Sequence, residues 1–146
     1  MPYWRLYYHI VWATKNREPL IAREVREGLA GYLVGKAVDM TTIVHAIGCA
    51  EDHVHITASV PPATSVADFV ARLKGSSSHY LNNLLADAFA WQEGYGAFSI
   101  GISQIDDTTR YIASQAEHHR TTTFQEEFLA FLTKHNIEYD PRYVWG

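Results

Sequence analysis

Two β-branched runs, TTIVHAIGC at 41–49 and HVHITASV at 53–60, are separated only by Ala50, Glu51 and Asp52. A connection that short has no room for a crossover, so the two runs are predicted to pair as an antiparallel hairpin. The second arm opens with His53-Val54-His55-Ile56. Strand residues two apart point to the same face at a spacing of about 7 Å, which makes His53 and His55 a candidate pair for one divalent ion. Asp52 alternates to the opposite face. The alternative is an ordinary surface or core pair, since neutral imidazole packs and hydrogen-bonds readily.

The rest of the chain arranges itself around that hairpin. Residues 5–14 (RLYYHIVWAT) alternate with Leu6, Tyr8, Ile10 and Trp12 on one side, the period of a half-buried strand. Val25, Leu29 and Leu33 recur every four residues and predict an amphipathic helix over 21–37. After Pro61-Pro62, Ser65 with Asp68 marks a helix start, and Val66, Phe69, Val70 and Leu73 carry the helical period on to Leu84 and Leu85. Its middle, Lys74-Gly75-Ser76-Ser77-Ser78, is a poor helix former and predicts either a kink or a flat basic patch where another backbone comes close. AFSIGISQ at 97–104 alternates as a fourth strand. Asp106 and Asp107 open a further helix, and Thr123 with Glu126 caps a last one that buries Phe124, Phe128, Phe131 and Leu132. The order is β-α-β-β-α-β with two additional C-terminal helices, the α+β, ferredoxin-like antiparallel plan, as one domain over residues 1–146. That plan hosts many unrelated functions.

Composition narrows the classes. With 146 residues, 47% apolar and 19% charged, the chain is large enough for one unstapled core. The lone Cys49 excludes an intramolecular disulfide, and neither a signal peptide nor a membrane-length apolar run is present, which predicts a cytoplasmic protein with no membrane partner. A net charge of −4 runs against non-specific nucleic-acid binding, because phosphate neutralisation supplies most of that affinity. Distribution matters more than the sum. Lys15, Arg17, Arg72, Lys74, Arg110 and Arg120 lie close in sequence to the candidate functional segments, whereas Glu126, Glu127, Glu138 and Asp140 fall toward the C-terminus. The bases are candidates for a local DNA-binding groove.

A second constellation, Tyr111-Ile112-Ala113-Ser114-Gln115, places a phenol and a carboxamide four apart, on one face of a helix. Tyr111 is a candidate nucleophile and Gln115 a candidate third metal ligand beside His53 and His55; a core tyrosine is the plainer reading. Three neutral ligands would leave an ion its full charge, and such a set suits manganese at least as well as magnesium. His118 and His119 are candidates for phosphate contact or for capping a helix C-terminus. His9 and His45 read as structural. Trp91, Tyr95 and Phe98 are candidates to stack on unpaired bases, with core packing as the alternative.

These residues carry a resemblance. His53-Val54-His55, Leu73-Lys74-Gly75-Ser76-Ser77, the phrase YIASQAEHH at 111–119, the ending IEYDPRYVW at 137–145 and the opening YHIVWATK at 8–15 together resemble the small single-tyrosine transposases of the HUH superfamily over nearly the whole chain. The resemblance implies a metal-dependent enzyme, with Mg2+ or Mn2+, that cuts and rejoins single-stranded DNA at the ends of a mobile element and recognises hairpins. It also implies a homodimer in which the helix bearing Tyr111 completes the partner subunit's site. A domesticated branch acts on repetitive chromosomal palindromes with the same chemistry. Two other classes fit the bare residues: a single-strand-binding module needing neither metal nor tyrosine, and a zinc hydrolase that adds a third histidine to His53 and His55.

Overall fold

The computed structural model describes residues 3–86, 88–113, 123–142 and 144. Four strands form one antiparallel sheet, β1 (Tyr7–Ala13), β2 (Ile43–Cys49), β3 (His53–Ser59) and β4 (Gly96–Ile100), in the order β2-β3-β1-β4. Helices α1 (Arg23–Asp39) and α2 (Val66–Leu84) make the two crossovers, and α3 (Ile105–Ala113) and α4 (Phe124–Lys134) follow the last strand. This is the ferredoxin-like α+β arrangement the periodicity predicts. The 41–60 segment is the expected hairpin, with a register shift between Val44 and Ala46 that marks a bulge at His45.

Alternation along the central strands sorts their side chains onto two faces. Ile10 and Trp12 of β1 join Val54, Ile56 and Ala58 of β3 in a core closed by Leu29, Leu33 and Ala37 of α1 and Phe69, Leu73 and Leu81 of α2. Each large apolar side chain buried there stabilises the fold by roughly 1.5–3 kcal/mol. The opposite face carries Val11, Ala13 and Phe98, packed against Leu132, Phe128, Leu129 and Phe131 of α4. Because residues directly across a ladder share a face, the register Val11↔His55 and Ala13↔His53 puts both histidines under α4. Gly96 lets the helix come down: a β-carbon there would lie 2.7 Å from the Phe128 ring.

The serine-rich stretch of α2 does not kink; it is where another backbone comes close, the loop at 92–94, whose carbonyls Lys74 holds. The helix runs unbroken, its start capped by Ser65 Oγ accepting from the Asp68 amide at 3.0 Å. Ser77 Oγ donates back to the Leu73 carbonyl at 2.6 Å and accepts from Trp91 Nε1 at 3.0 Å, so the small side chains make room for the indole. At α4, Thr123 Oγ1 accepts from the Glu126 amide at 3.2 Å, as its capping pattern predicts. Leu132 is buried and Phe128 and Phe131 are half-buried, while the side chain of Phe124 lies outside the described set.

Candidate active site

His53 and His55 are 1% and 0% exposed, and the third group between them is a carboxylate from the far end of the chain. Glu127, on the inner side of α4, is 3% exposed. Its Oε2 lies 3.8 Å from His53 Nε2 and 3.5 Å from His55 Nε2. The three ligand atoms all fall within 4.8 Å of one another. Gln115, the third ligand expected from the sequence, lies outside the described residues, as do His118, His119 and Arg120.

Each imidazole is oriented from behind. Asp52 precedes the first pleated residue of β3 and so escapes the strand alternation that would turn it away. Its Oδ1 accepts from His53 Nδ1 at 2.6 Å, which turns Nε2 toward Glu127. His9 does the same for His55: its Nε2 is 2.9 Å from His55 Nδ1, and the two rings stack with centroids 5.1 Å apart. With His55 donating from Nδ1, its Nε2 carries the lone pair. Burial, followed by the neighbouring His55, pushes His9 down to about 3, so it is a neutral acceptor at ordinary pH. Carboxylate or carbonyl support of this kind fixes ring orientation and tautomer at metal sites.

This arrangement fits a divalent cation. A carboxylate buried almost completely against two imidazoles needs positive charge, because an ion taken out of water without a counter-charge costs several kcal/mol. Two nitrogen donors and one oxygen donor converge where that charge is needed. Glu127 also makes the donor set anionic, unlike the all-neutral set expected from the sequence, and a carboxylate oxygen is a ligand that both magnesium and manganese accept. A third histidine, as the zinc-hydrolase alternative requires, is not among the grouped ligands of the described residues. Replacing Asp52 by asparagine should weaken manganese affinity about 10–100-fold while leaving the fold intact, the usual effect of losing an outer-shell partner. Calorimetric titration with manganese checks this, and an unchanged affinity would mean that Asp52 does not hold His53 for a metal.

Tyr111, on α3, stands over the same site. Its ring centroid is 5.8 Å from that of His55 and 6.4 Å from that of His9, nearly perpendicular to both. Its hydroxyl donates to Glu127. Burial, the negative charge of Glu127 and that hydrogen bond together hold the phenol above the ordinary tyrosine range. Within one chain, then, the candidate nucleophile already faces the candidate metal ligands. Cys49 is no competing nucleophile, since burial pushes its thiol up to about 12.

The basic residues proposed for DNA occupy different settings. Lys15 and Arg17 form a short 3-10 turn directly after β1, at the end of the sheet where His53 stands. Arg110 is exposed and ion-paired with Asp107 one turn away on α3. Arg72 pairs with Asp68 at 3.2 Å on the outer side of α2. Lys74 spends its ammonium on the backbone carbonyls of Gln92 and Gly94, at 2.7 and 2.8 Å, tying down the loop before β4. Among the aromatic candidates, Phe98 is buried and Trp91 packs edge-on against Trp12 and Phe89, whereas Tyr95 is 38% exposed.

Comparison with known proteins gives the family. The model of the family "Transposase IS200 like" matches residues 2–115. The IS200 transposase of Salmonella typhimurium is 31% identical over 124 residues, covering 78% of this chain and 79% of that protein. The ISDra2 transposase TnpA of Deinococcus radiodurans is 29% identical over 119 residues, covering 77% and 85%. A crystal structure of a candidate transposase from Deinococcus radiodurans superposes with a TM-score of 0.64 at 25% identity, over 79% of this chain and 95% of that one. A REP-associated tyrosine transposase bound to a REP hairpin shares the fold with a TM-score of 0.62 at 14% identity, over 96% and 93%. With a family model spanning most of its length and a relative 31% identical over 78% of it, the chain belongs to the IS200-like transposase family.

Proposed function

We propose that this transposase cuts and rejoins single-stranded DNA through a 5′-phosphotyrosine on Tyr111, with a divalent metal held by His53, His55 and Glu127. The observation that carries the proposal is the convergence of Tyr111, both histidines and Glu127 in one buried site. In the forward step the Tyr111 hydroxyl oxygen bonds to phosphorus, and the bond from phosphorus to the 3′ oxygen of the upstream nucleotide breaks. The departing oxygen keeps the electron pair and takes up a proton to become a free 3′ hydroxyl. Glu127, which already holds the Tyr111 hydroxyl, is placed to take the phenolic proton. A bound Mg2+ or Mn2+ would polarise the scissile phosphate and offset the charge of Glu127. Because the phosphotyrosine conserves the phosphodiester's energy, a 3′ hydroxyl reverses the step with no nucleotide cofactor, as rejoining requires.

Hairpin DNA is the proposed partner, by the likeness of fold to the structure solved with a REP hairpin; action on chromosomal palindromes in place of element ends is a variant of the same chemistry. Lys15, Arg17 and Arg110 are the described cations best placed for its backbone. The test is incubation of the protein with hairpin-bearing single-stranded oligonucleotides and manganese. A protein–DNA adduct that survives a denaturing gel supports the reading, and metal-independent binding with no adduct supports the single-strand-binding module.

We further propose a homodimer. Among the described residues β2 and β4 are the edges of the sheet, and an edge strand offers backbone groups that a second copy can pair with. Tyr111 lies beside its own His55, which supports a site closed within one chain. A mixture of Tyr111→Phe and His55→Ala proteins, allowed to exchange subunits, should therefore stay inactive. Recovered cleavage would show that the tyrosine helices cross between subunits, as the family resemblance implies. Among the described residues no helix is long and apolar enough to cross a membrane.

A further inference from the structure

Beside Tyr111 a cavity of about 290 Å³ opens on the side away from His53, and it shares two of its walls, His9 and Tyr111, with the candidate active site. Phe131, Lys134 and His135 of α4 and its C-cap line it together with Asp107 of α3. We propose that this cavity is a subsite for a single unpaired nucleotide of the substrate strand, next to the phosphate that Tyr111 attacks. The inference rests on the single-strand transposase reading above and adds residues to it that neither the family motifs nor the metal site include.

Aromatic walls beside a cation are the chemistry that holds unpaired bases: every base has a face to stack, and the backbone needs a positive partner. Phe131 is fixed edge-on to His9, with centroids 4.8 Å apart at 80°, and to Tyr111 at 6.0 Å and 81°. The His135 ring is fixed too, stacked on Phe98 at 4.8 Å and 29° while it lines the cavity. Burial and then the adjacent Lys134 lower its pKa, which favours the uncharged ring that stacks on a base. Lys134 is exposed at the rim and supplies the charge for a phosphate. The acid in the wall, Asp107, is ion-paired with Arg110 and presents little net repulsion. The volume lies at the lower end of small-molecule pockets, which start near about 300 Å³, and so suits one nucleotide. Continuity with Tyr111 makes that nucleotide a neighbour of the cut, and the protein would thereby impose a preference there that hairpin recognition does not supply.

The test uses the full chain in magnesium buffer, titrated with the 3′,5′-bisphosphates of thymidine and deoxyguanosine and, separately, with inorganic phosphate, while ring resonances of His135 and Phe131 are followed by NMR. The bisphosphates should shift both rings at concentrations where phosphate does not. His135→Ala should weaken that binding roughly tenfold, the scale of one lost base–aromatic stack. His135→Phe should preserve it, which separates a lost stack from a damaged fold, and Lys134→Gln should weaken it for both nucleotides alike. Equal shifts from inorganic phosphate, or a His135→Ala protein that binds as wild type does, would overturn the subsite. No cleavage is involved, so nucleotide binding without an oligonucleotide adduct would count against the transposase mechanism alone, and an adduct without nucleotide binding against the subsite alone.

Discussion

Replacing Tyr111 by phenylalanine is expected to abolish the covalent adduct and reduce strand cleavage on the order of 10⁴-fold or more, to background, because the group that must bond to phosphorus is gone. The substitution keeps the ring that meets His55, His9 and Phe131 edge-on, so the surrounding packing should survive. What else is lost is the hydrogen bond to Glu127. A buried acceptor deprived of its donor costs about 1–3 kcal/mol, but the same change relieves nothing that holds a metal in place. Manganese affinity should therefore stay within a few-fold of wild type while cleavage disappears. Gel analysis of oligonucleotide products beside calorimetric metal titration checks both halves. A Tyr111→Phe protein that still cuts would leave the nucleophile elsewhere.

His55→Ala should be as damaging to cleavage and should also weaken the fold. The side chain is fully buried, holds His9 through a 2.9 Å contact and faces Glu127 at 3.5 Å. Removing it leaves a cavity and two buried polar groups short of a partner, each worth about 1–3 kcal/mol. For a chain of about this size that corresponds to a fall in melting temperature of at least a few degrees. Burial under α4 is what ties this metal ligand to the stability of the fold. Thermal unfolding and a manganese-dependent cleavage assay on the same preparation measure the two effects. Cleavage that survives both this substitution and excess chelator would remove the metal from the mechanism.

The elements that were readable in the sequence are those whose causes are local. The hairpin follows from two β-branched runs with no room for a crossover, α2 from the Ser65 cap and its apolar period, and the pairing of His53 with His55 from the two-residue repeat of a strand. The site's other half depends on contacts between distant segments. Glu127 read as one of several C-terminal acids, although it lies four residues before Phe131 and beside Phe128, on the apolar side of its own helix. A carboxylate on that stripe is an anomaly that periodicity exposes, and it was the available signal. His9 carried a similar one: it shares strand parity with Val11 and Ala13, and so belongs to the face opposite Ile10 and Trp12. Alternation assigns Asp52 to the opposite face from His53, wrongly, because it stands just outside the strand, where the two-residue repeat no longer applies. Lys74 illustrates the converse, a cation near functional segments in sequence whose ammonium is engaged by the loop at 92–94.

Covalent joining of Tyr111 to DNA is read directly by peptide mapping of the adduct. Single-stranded hairpin oligonucleotide is cleaved in manganese, the protein is digested, and the peptide carrying the nucleotide is sequenced by mass spectrometry. Mapping should find a 5′-phosphate on Tyr111 and a free 3′ hydroxyl on the other DNA fragment. A phosphate on Tyr139, on Tyr143 or on no tyrosine at all would contradict it.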